Sequence, residues 1–176
     1  MIVELIILFT LKIKSLNIYE IKKFLDDNFS LFYKISFGTL YPGLKRLSSN
    51  GYLEVEKKIS EGGQRQSLYK ITEKGKEHFY ELLTSDISDK ISADVRLADI
   101  LIFIISNKDI DQNILDKTKE SLIKFFELKK VEMVKFLKDE NNNNELVKYI
   151  NICIDDIERK IKYIEYLWFL TYALIS

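Results

Sequence analysis

Side chains able to make or break covalent bonds are scarce in this sequence. It holds one histidine, His78, and one cysteine, Cys153, far apart in the chain. Neither has a companion at the spacing of a nucleophile–base pair or a metal-ligand set, and a lone His or Cys without such a pattern is usually a packed structural residue. No phosphate loop or dinucleotide fingerprint occurs. The chain is therefore expected not to be an enzyme and to need no cofactor and no metal. What it does offer is cationic and hydrogen-bonding chemistry. Lys45 and Arg46 are adjacent, Arg65 stands between Gln64 and Gln66, and Tyr19 precedes Lys22 and Lys23. Such side chains neutralise phosphates or reach base edges in duplex DNA. A basic pair alone is ordinarily a solvated helix face, so the weight lies in whether separate clusters share one surface.

The elements that would position them punctuate like a small α+β domain. A first apolar helix covers Ile2 to Ile13. Asn17 opens a capping box with Glu20, and Ile18, Ile21, Leu25 and Phe29 follow as the apolar stripe of a second helix. Ser36 can cap a third, with Phe37, Leu40, Leu44 and Leu47 on its inner face and an end at Asn50-Gly51. Its outer face carries Gly38, Thr39, Pro42, Lys45, Arg46 and Ser49. Pro42 and Gly43 are poor helix-interior residues, costing about 3 and 1 kcal/mol against Ala. Either this helix begins later, or its surface is constrained by function. Residues 52–59 alternate, Leu53, Val55 and Ile59 on one side, as a half-buried strand would, and Ser67 to Ile71 is the partner. The polar, glycine-centred Ser60 to Gln66 suits an exposed hairpin tip. Thr72 then caps a fourth helix to about Leu83. Three helices, a hairpin and a helix are the order of a winged helix-turn-helix.

The second half has neither Pro nor Gly after Gly75 and reads as helix throughout. Val95 to Ile105 is apolar nearly all round. Ile114 to Leu137 carries a stripe of Leu115, Leu122, Phe126, Met133 and Leu137, and Asn141 to Asn144 make a tight polar link. Beyond it Leu146, Ile150, Cys153, Ile157, Ile161, Ile164 and Trp168 recur at steps of three and four along a helix of about 45 Å at 1.5 Å per residue. The two long helices should form an antiparallel hairpin. Tyr149, Ile152, Ile154, Tyr163, Tyr166, Leu167, Phe169 and Leu170 widen the last helix beyond one stripe, which implies a symmetric partner. Leu146, Ile150, Ile157, Ile161, Ile164 and Trp168 are the expected dimer interface. The fold class is thus mainly α: a winged helix-turn-helix DNA-binding domain over 1–85 and an all-α dimerisation domain over 86–176.

Composition agrees with a globular protein, with 47% hydrophobic and 31% charged residues. Net charge is zero, but residues 1–84 hold 13 Lys/Arg against 10 Asp/Glu, leaving 14 against 17 beyond. The apolar start, Met1 to Leu11, has Glu4 inside it, no basic lead and no small-residue cleavage site, so it is expected to be a buried helix. Tyr166 to Ile175 is about half the roughly 20 residues a spanning helix needs. No membrane association is expected, and one cysteine asks for no oxidising compartment, so the cytoplasm is the expected location.

Several stretches together carry a resemblance: Tyr19-Glu20-Ile21, the run Ser36-Phe37-Gly38-Thr39-Leu40-Tyr41-Pro42-Gly43-Leu44-Lys45-Arg46-Leu47, and Glu61-Gly62-Gly63 followed by Tyr69-Lys70-Ile71-Thr72-Glu73-Lys74-Gly75. Over residues 1 to about 85 the chain resembles the PadR family of bacterial regulators; the tail is similar to the longer-tailed members only in kind. The resemblance implies a homodimer on a palindromic operator in double-stranded DNA, acting as a repressor and released by a small-molecule effector or a stress signal. Carried over by position, Tyr19, Lys22, Ser36, Thr39, Tyr41, Lys45 and Arg65 become candidate DNA contacts, beside Arg46 and Gln64 from the residue reading. Gln64 stands where the family often has proline, and Gln66 where a second basic residue is common. The alternative is a winged-helix module that binds protein with its third helix, against which Lys45, Arg46 and Arg65 argue.

Overall fold

The computed structural model describes residues 2–30, 33–59, 63, 65–84, 96–107, 110–138 and 144–173. Its elements are α1 (Ile2–Ile13), β1 (Leu16–Asn17), α2 (Ile18–Phe29), α3 (Phe37–Ser49), β2 (Leu53–Ile59), β3 (Arg65–Ile71), α4 (Glu73–Thr84), α5 (Arg96–Ile105), α6 (Gln112–Leu137) and α7 (Asn144–Ala173). They divide into two compact units, one running through α4 and the first turn of α5 and the other from residue 101 onward. The class is mainly α, a winged helix followed by a helical region. The expected boundary at 85/86 lies outside the described residues, as does the expected link Asn141 to Asn144 except for Asn144, which opens α7.

In the first unit α1 is the hub. Leu5, Ile6, Ile7, Leu8, Phe9 and Leu11 are all buried, so the apolar N-terminal run is explained by packing on every side. Phe9 meets Phe29 of α2 edge-on at 5.9 Å and Phe79 of α4 at 6.4 Å. The expected capping box starts α2: the Asn17 side chain accepts from the Tyr19 and Glu20 amides, and the Glu20 carboxylate accepts from the Asn17 amide. Ser36 caps α3 as expected.

The helix α3 begins at Phe37 with Pro42 inside it, which disposes of a later start. Proline withholds the N–H that the Gly38 carbonyl would accept. Gly38 and Pro42 are both exposed, so water can satisfy that carbonyl. Gly43 faces inward, and a Cβ there would lie 3.1 Å from the side chains of Ile7 and Val3. Leu40, Leu44 and Leu47 are fully buried, but Phe37 is not: it is 44% exposed and belongs to the surface, because an apolar residue in the first turn projects past the end of the core.

One strand was not anticipated. The two-residue β1 adds to the hairpin in the antiparallel order β1-β3-β2, with Leu16 opposite Tyr69 and Asn17 opposite Leu68. In β2 the expected half-buried face holds only at Leu53; Val55 and Ile59 are 44% and 74% exposed. The strand leaves the core after one turn of its pleat and becomes a free ribbon, the wing.

Where the hairpin joins the helices, the backbone is locked. Gly51 adopts φ 75° at the end of α3, with Gly51 N–H donating to the Ser48 carbonyl and Tyr52 N–H to that of Leu47, the paired bonds of a Schellman ending. The Thr72 hydroxyl donates to the Gly51 carbonyl at 2.8 Å and accepts from the Gly75 amide at 3.0 Å. His78 stacks on Tyr52 at 4.2 Å with the rings 7° apart, and the Lys74 ammonium lies 5.2 Å from the centre of the same Tyr52 ring. His78 is thus a packing residue of this joint.

In the second unit α6 and α7 run antiparallel, since Lys130 meets Glu158 at 2.5 Å while Phe126 meets Lys160 further along α7. Leu115, Leu122 and Phe126 of the expected α6 stripe are buried, Met133 and Leu137 half-buried.

The joint at Gly75 yields a prediction. A Cβ there would sit 2.2 Å from the Tyr52 carbonyl oxygen and 2.9 Å from the Ile71 side chain. Backbone cannot yield as a side-chain tip does, so Gly75→Ala should destabilise the winged unit by about 2 kcal/mol or more, the upper part of the overpacking range. Urea unfolding followed by circular dichroism checks it; a change below about 0.5 kcal/mol would show that α4 can shift freely.

Candidate nucleic-acid interface

The third helix presents two unlike sides. Inward lie Leu40, Gly43, Leu44 and Leu47; outward lie Thr39, Tyr41, Pro42, Lys45, Arg46 and Ser49. Tyr41 and Lys45 are one turn apart and stack on one stripe. No carboxylate among the described residues engages Lys45. Arg46 is different: its Nε donates to Glu4 Oε1 of α1 at 2.6 Å, with Glu4 largely covered. That contact holds the guanidinium against α1, so Arg46 is a strut between two helices before it is anything else.

Ser36 and Thr39 are likewise partly committed. Ser36 Oγ accepts from the Thr39 amide at 3.3 Å and lies 3.2 Å from the Thr39 hydroxyl, both side chains remaining exposed. Their first duty is to start α3, which also aims the free N-terminal amides of that helix outward.

From α2 come Tyr19 and Lys22. Tyr19 is 73% exposed and meets Phe37 at 5.7 Å edge-on, while the Lys22 ammonium stands 5.9 Å from the same ring and pairs with Asp26. Phe37, which the periodicity assigned to the core, is therefore the bridge that brings the first turns of α2 and α3 onto one surface. Its signal was available: an aromatic directly after a cap residue has no helix turn ahead of it to lie on.

The wing reaches the same surface through β3. Cross-strand pairing sets Ile59 opposite Arg65, Lys57 opposite Ser67 and Val55 opposite Tyr69, and these residues share the sheet face of the buried Leu16, Leu53 and Ile71. Tyr69 lies near enough to Tyr41 of α3 to feel it: burial, and secondarily Tyr41, push the Tyr69 hydroxyl up from its usual value. Tyr41, Tyr69, Val55, Lys57 and Arg65 thus form a path from the exposed stripe of α3 to the wing. Lys57 was passed over in the sequence although strict alternation from Leu53 places it there. Gln64 lies outside the described residues.

Not every candidate for a partner surface keeps that status. Ile157 is 8% exposed and Ile164 is fully buried within one chain, while Ile150 and Ile161 are half-buried. Ile157 and Ile164 are already covered within the one chain and do not await a partner. The side chain of Trp168 lies outside the described residues. Leu146, 41% exposed, stays at the surface. The exposed stripe lies instead on the other side of α7, where Tyr149, Ile152, Tyr163, Tyr166 and Leu170 recur at helical spacing.

Among the described residues no group of three or more potential metal ligands occurs, and no helix is long and apolar enough to cross a membrane. Residues 7–81 match the Transcriptional regulator PadR-like family, a family of regulators and not of enzymes. No curated protein matches the chain. Among solved structures, smu.1604c from Streptococcus mutans UA159 is 26% identical over 98% of both chains with a TM-score of 0.46. Bacillus subtilis PadR in complex with operator DNA is 13% identical over 95% of this chain and 97% of that one, also with a TM-score of 0.46. A transcriptional regulator from Clostridium thermocellum is 26% identical over 56% of this chain and 87% of that one, with a TM-score of 0.40.

The Tyr41–Tyr69 proximity can be checked by titration. Tyr41→Phe should bring the Tyr69 ionisation part of the way back toward its ordinary value, because burial, the larger cause, remains. A hydroxyl whose folded-state pKa is raised favours the fold fully below about pH 10 and loses that contribution as pH rises through the folded value. Difference phenolate absorbance against Tyr69→Phe measures both; an unmoved titration would separate α3 from the wing.

Proposed function

From the match of residues 7–81 to the Transcriptional regulator PadR-like family, we propose that the chain is a cytoplasmic, homodimeric repressor that binds a palindromic operator in duplex DNA. Residues 1–85 supply the DNA contacts and residues 86–176 the dimer. The reading is carried by the convergence of three separate segments, α2, α3 and the wing, on one exposed surface with uncommitted cations at Lys45, Lys57 and Arg65. Tyr41 and Lys45 enter the major groove with α3, Tyr41 and Thr39 reading base edges and Lys45 a phosphate. Ser36 and the N-terminal amides of α3 suit a phosphate oxygen. Tyr19 and Lys22 flank, Arg65 and Gln64 touch the adjoining backbone, and Arg46 acts from its place beside Glu4.

A partner copy is supported by the second stripe of α7. Tyr149 and Ile152, and beyond Asp156 and Arg159 the group Tyr163, Tyr166 and Leu170, leave large apolar side chains in water along one side of the helix, a surface suited to a partner. A two-fold axis through that stripe pairs like with like, and a two-fold dimer reads a palindrome with recognition helices about 34–36 Å apart. Release by a small-molecule effector belongs to this reading as well.

Two measurements test it. Lys45→Ala should weaken binding to all duplexes, and the magnitude of the salt slope should fall by about one per half-site, since a phosphate contact releases counterions. A slope equal to that of the unaltered protein would remove Lys45 from the interface. Ile152→Asp places a charge on the exposed stripe without touching Ile157 or Ile164 beneath, so the chain should fold yet sediment as a monomer that holds duplexes only at nonspecific strength. A dimer that persists would move the partner surface elsewhere.

A further inference from the structure

Asn17 belongs to three elements at once. Its backbone lies in β1 opposite Leu68 of β3. Its side-chain Oδ1 accepts from the Tyr19 amide at 2.9 Å and the Glu20 amide at 3.0 Å, starting α2. With the oxygen so engaged, the other end of the amide must be a donor, and Asn17 Nδ2 donates to Gln66 Oε1 of β3 at 3.3 Å. Gln66 is next to Arg65 and opposite Lys58, where the hairpin has left the core: every residue of β2 beyond Leu53 is exposed. A two-stranded ribbon of that kind twists easily.

We infer that the Asn17–Gln66 hydrogen bond is a positioning device that sets the wing relative to the first turns of α2 and α3, so that Arg65 and Tyr41 meet the same duplex. The inference rests on the DNA-binding reading above. It also accounts for the residue type at 66. A lysine or arginine there would be donor-only and could not accept from Asn17, whereas glutamine supplies the carbonyl. Position 66 forgoes a charge that could touch phosphate and gains a fixed stance for the neighbouring Arg65. Asn17 is equally constrained: only a side chain with both an acceptor for the helix amides and a donor beyond it serves both elements.

The test uses Asn17→Ser, which keeps an equally good helix cap but is too short to reach Gln66, and Gln66→Leu, which removes the acceptor at similar size. The probes are a duplex enriched from random-sequence DNA by the unaltered full-length protein, and the same duplex trimmed of the flanks whose hydroxyl-radical protection Arg65→Ala abolishes. Each variant should bind the long duplex roughly fivefold more weakly, the effect of one neutral hydrogen bond, lose flank protection, and bind the trimmed duplex as the unaltered protein does. The double variant should lose no more than either single one. Equal losses on both duplexes would reduce the pair to a folding role, and unchanged binding to both, or additive losses in the double variant, would overturn the inference outright. Failure of the unaltered protein to enrich any duplex is a separate result, which would sink the DNA-binding reading and this inference with it.

Discussion

The close crossing of α1 and α3 at Gly43 governs where every outward side chain of the winged unit can stand. With side-chain atoms of Ile7 and Val3 only 3.1 Å from where a Cβ would be, a larger residue would require those side chains to give way by a few tenths of an ångström. The crossing lets Leu40, Leu44 and Leu47 leave water completely, each contributing about 1.5–3 kcal/mol by area, and their rotamers are then fixed by packing on a helix that is itself buried all round. Glu4 adds a polar tether on the same crossing by holding Arg46. The exposed stripe of Tyr41 and Lys45 is therefore displayed by a rigid element on both its flanks, which is what recognition of a grooved surface demands.

The wing needs a different solution, because it has no core beneath it. Its stem is secured where Tyr52 is covered by His78 and Lys74 and where Thr72 joins the turns at both ends of the hairpin. Gly75 permits α4 to come down on the Tyr52 carbonyl, so the sheet and α4 behave as one body at that end. Further out the only register information is cross-strand pairing, and Asn17 is the residue that carries order from α2 into that freer part.

Most of the architecture was legible because it rests on local rules. The capping box at Asn17-Glu20, the cap at Ser36, the Asn50-Gly51 stop and the Thr72 start each satisfy backbone groups within a few residues, and a sequence displays such offsets directly. What was not legible depends on where the core ends. Phe37 fits the period of α3 but lies ahead of its first covered turn, and Ile59 fits the alternation of β2 but lies beyond its last covered pair. β1 is too short for any pattern; it exists because Leu16 and Asn17 happen to lie alongside β3. On α7 the regular stripe of Ile157 and Ile164 looked like an intermolecular seam, yet such a seam can equally be satisfied within the chain, and here it is. The less regular aromatic stripe is the one left uncovered, and Asp156 and Arg159, which interrupt it, kept it from standing out as a pattern.

The charge distribution explains why a second stripe on α7 matters to the proposed function. Residues 1–84 have a surplus of only three cations, and of those near the interface Lys22, Arg46 and Lys58 each have a carboxylate beside them. Lys45, Lys57 and Arg65 remain, which under the proposed function would be a small number of phosphate contacts for one copy. Because the salt-dependent part of the affinity scales with the number of neutralised phosphates, one winged unit acting alone would hold DNA weakly. Joining two of them makes the second engagement intramolecular, so affinity rises without any new contact type. A surface with few free cations and several aromatic or hydroxyl side chains would then gain discrimination in the same step, since nonspecific attraction stays low while the two proposed recognition helices count together. Under the proposed function the apolar stripe of α7 and the sparse basic surface of α3 serve one end: the less one copy holds by charge, the more DNA binding would depend on a pair.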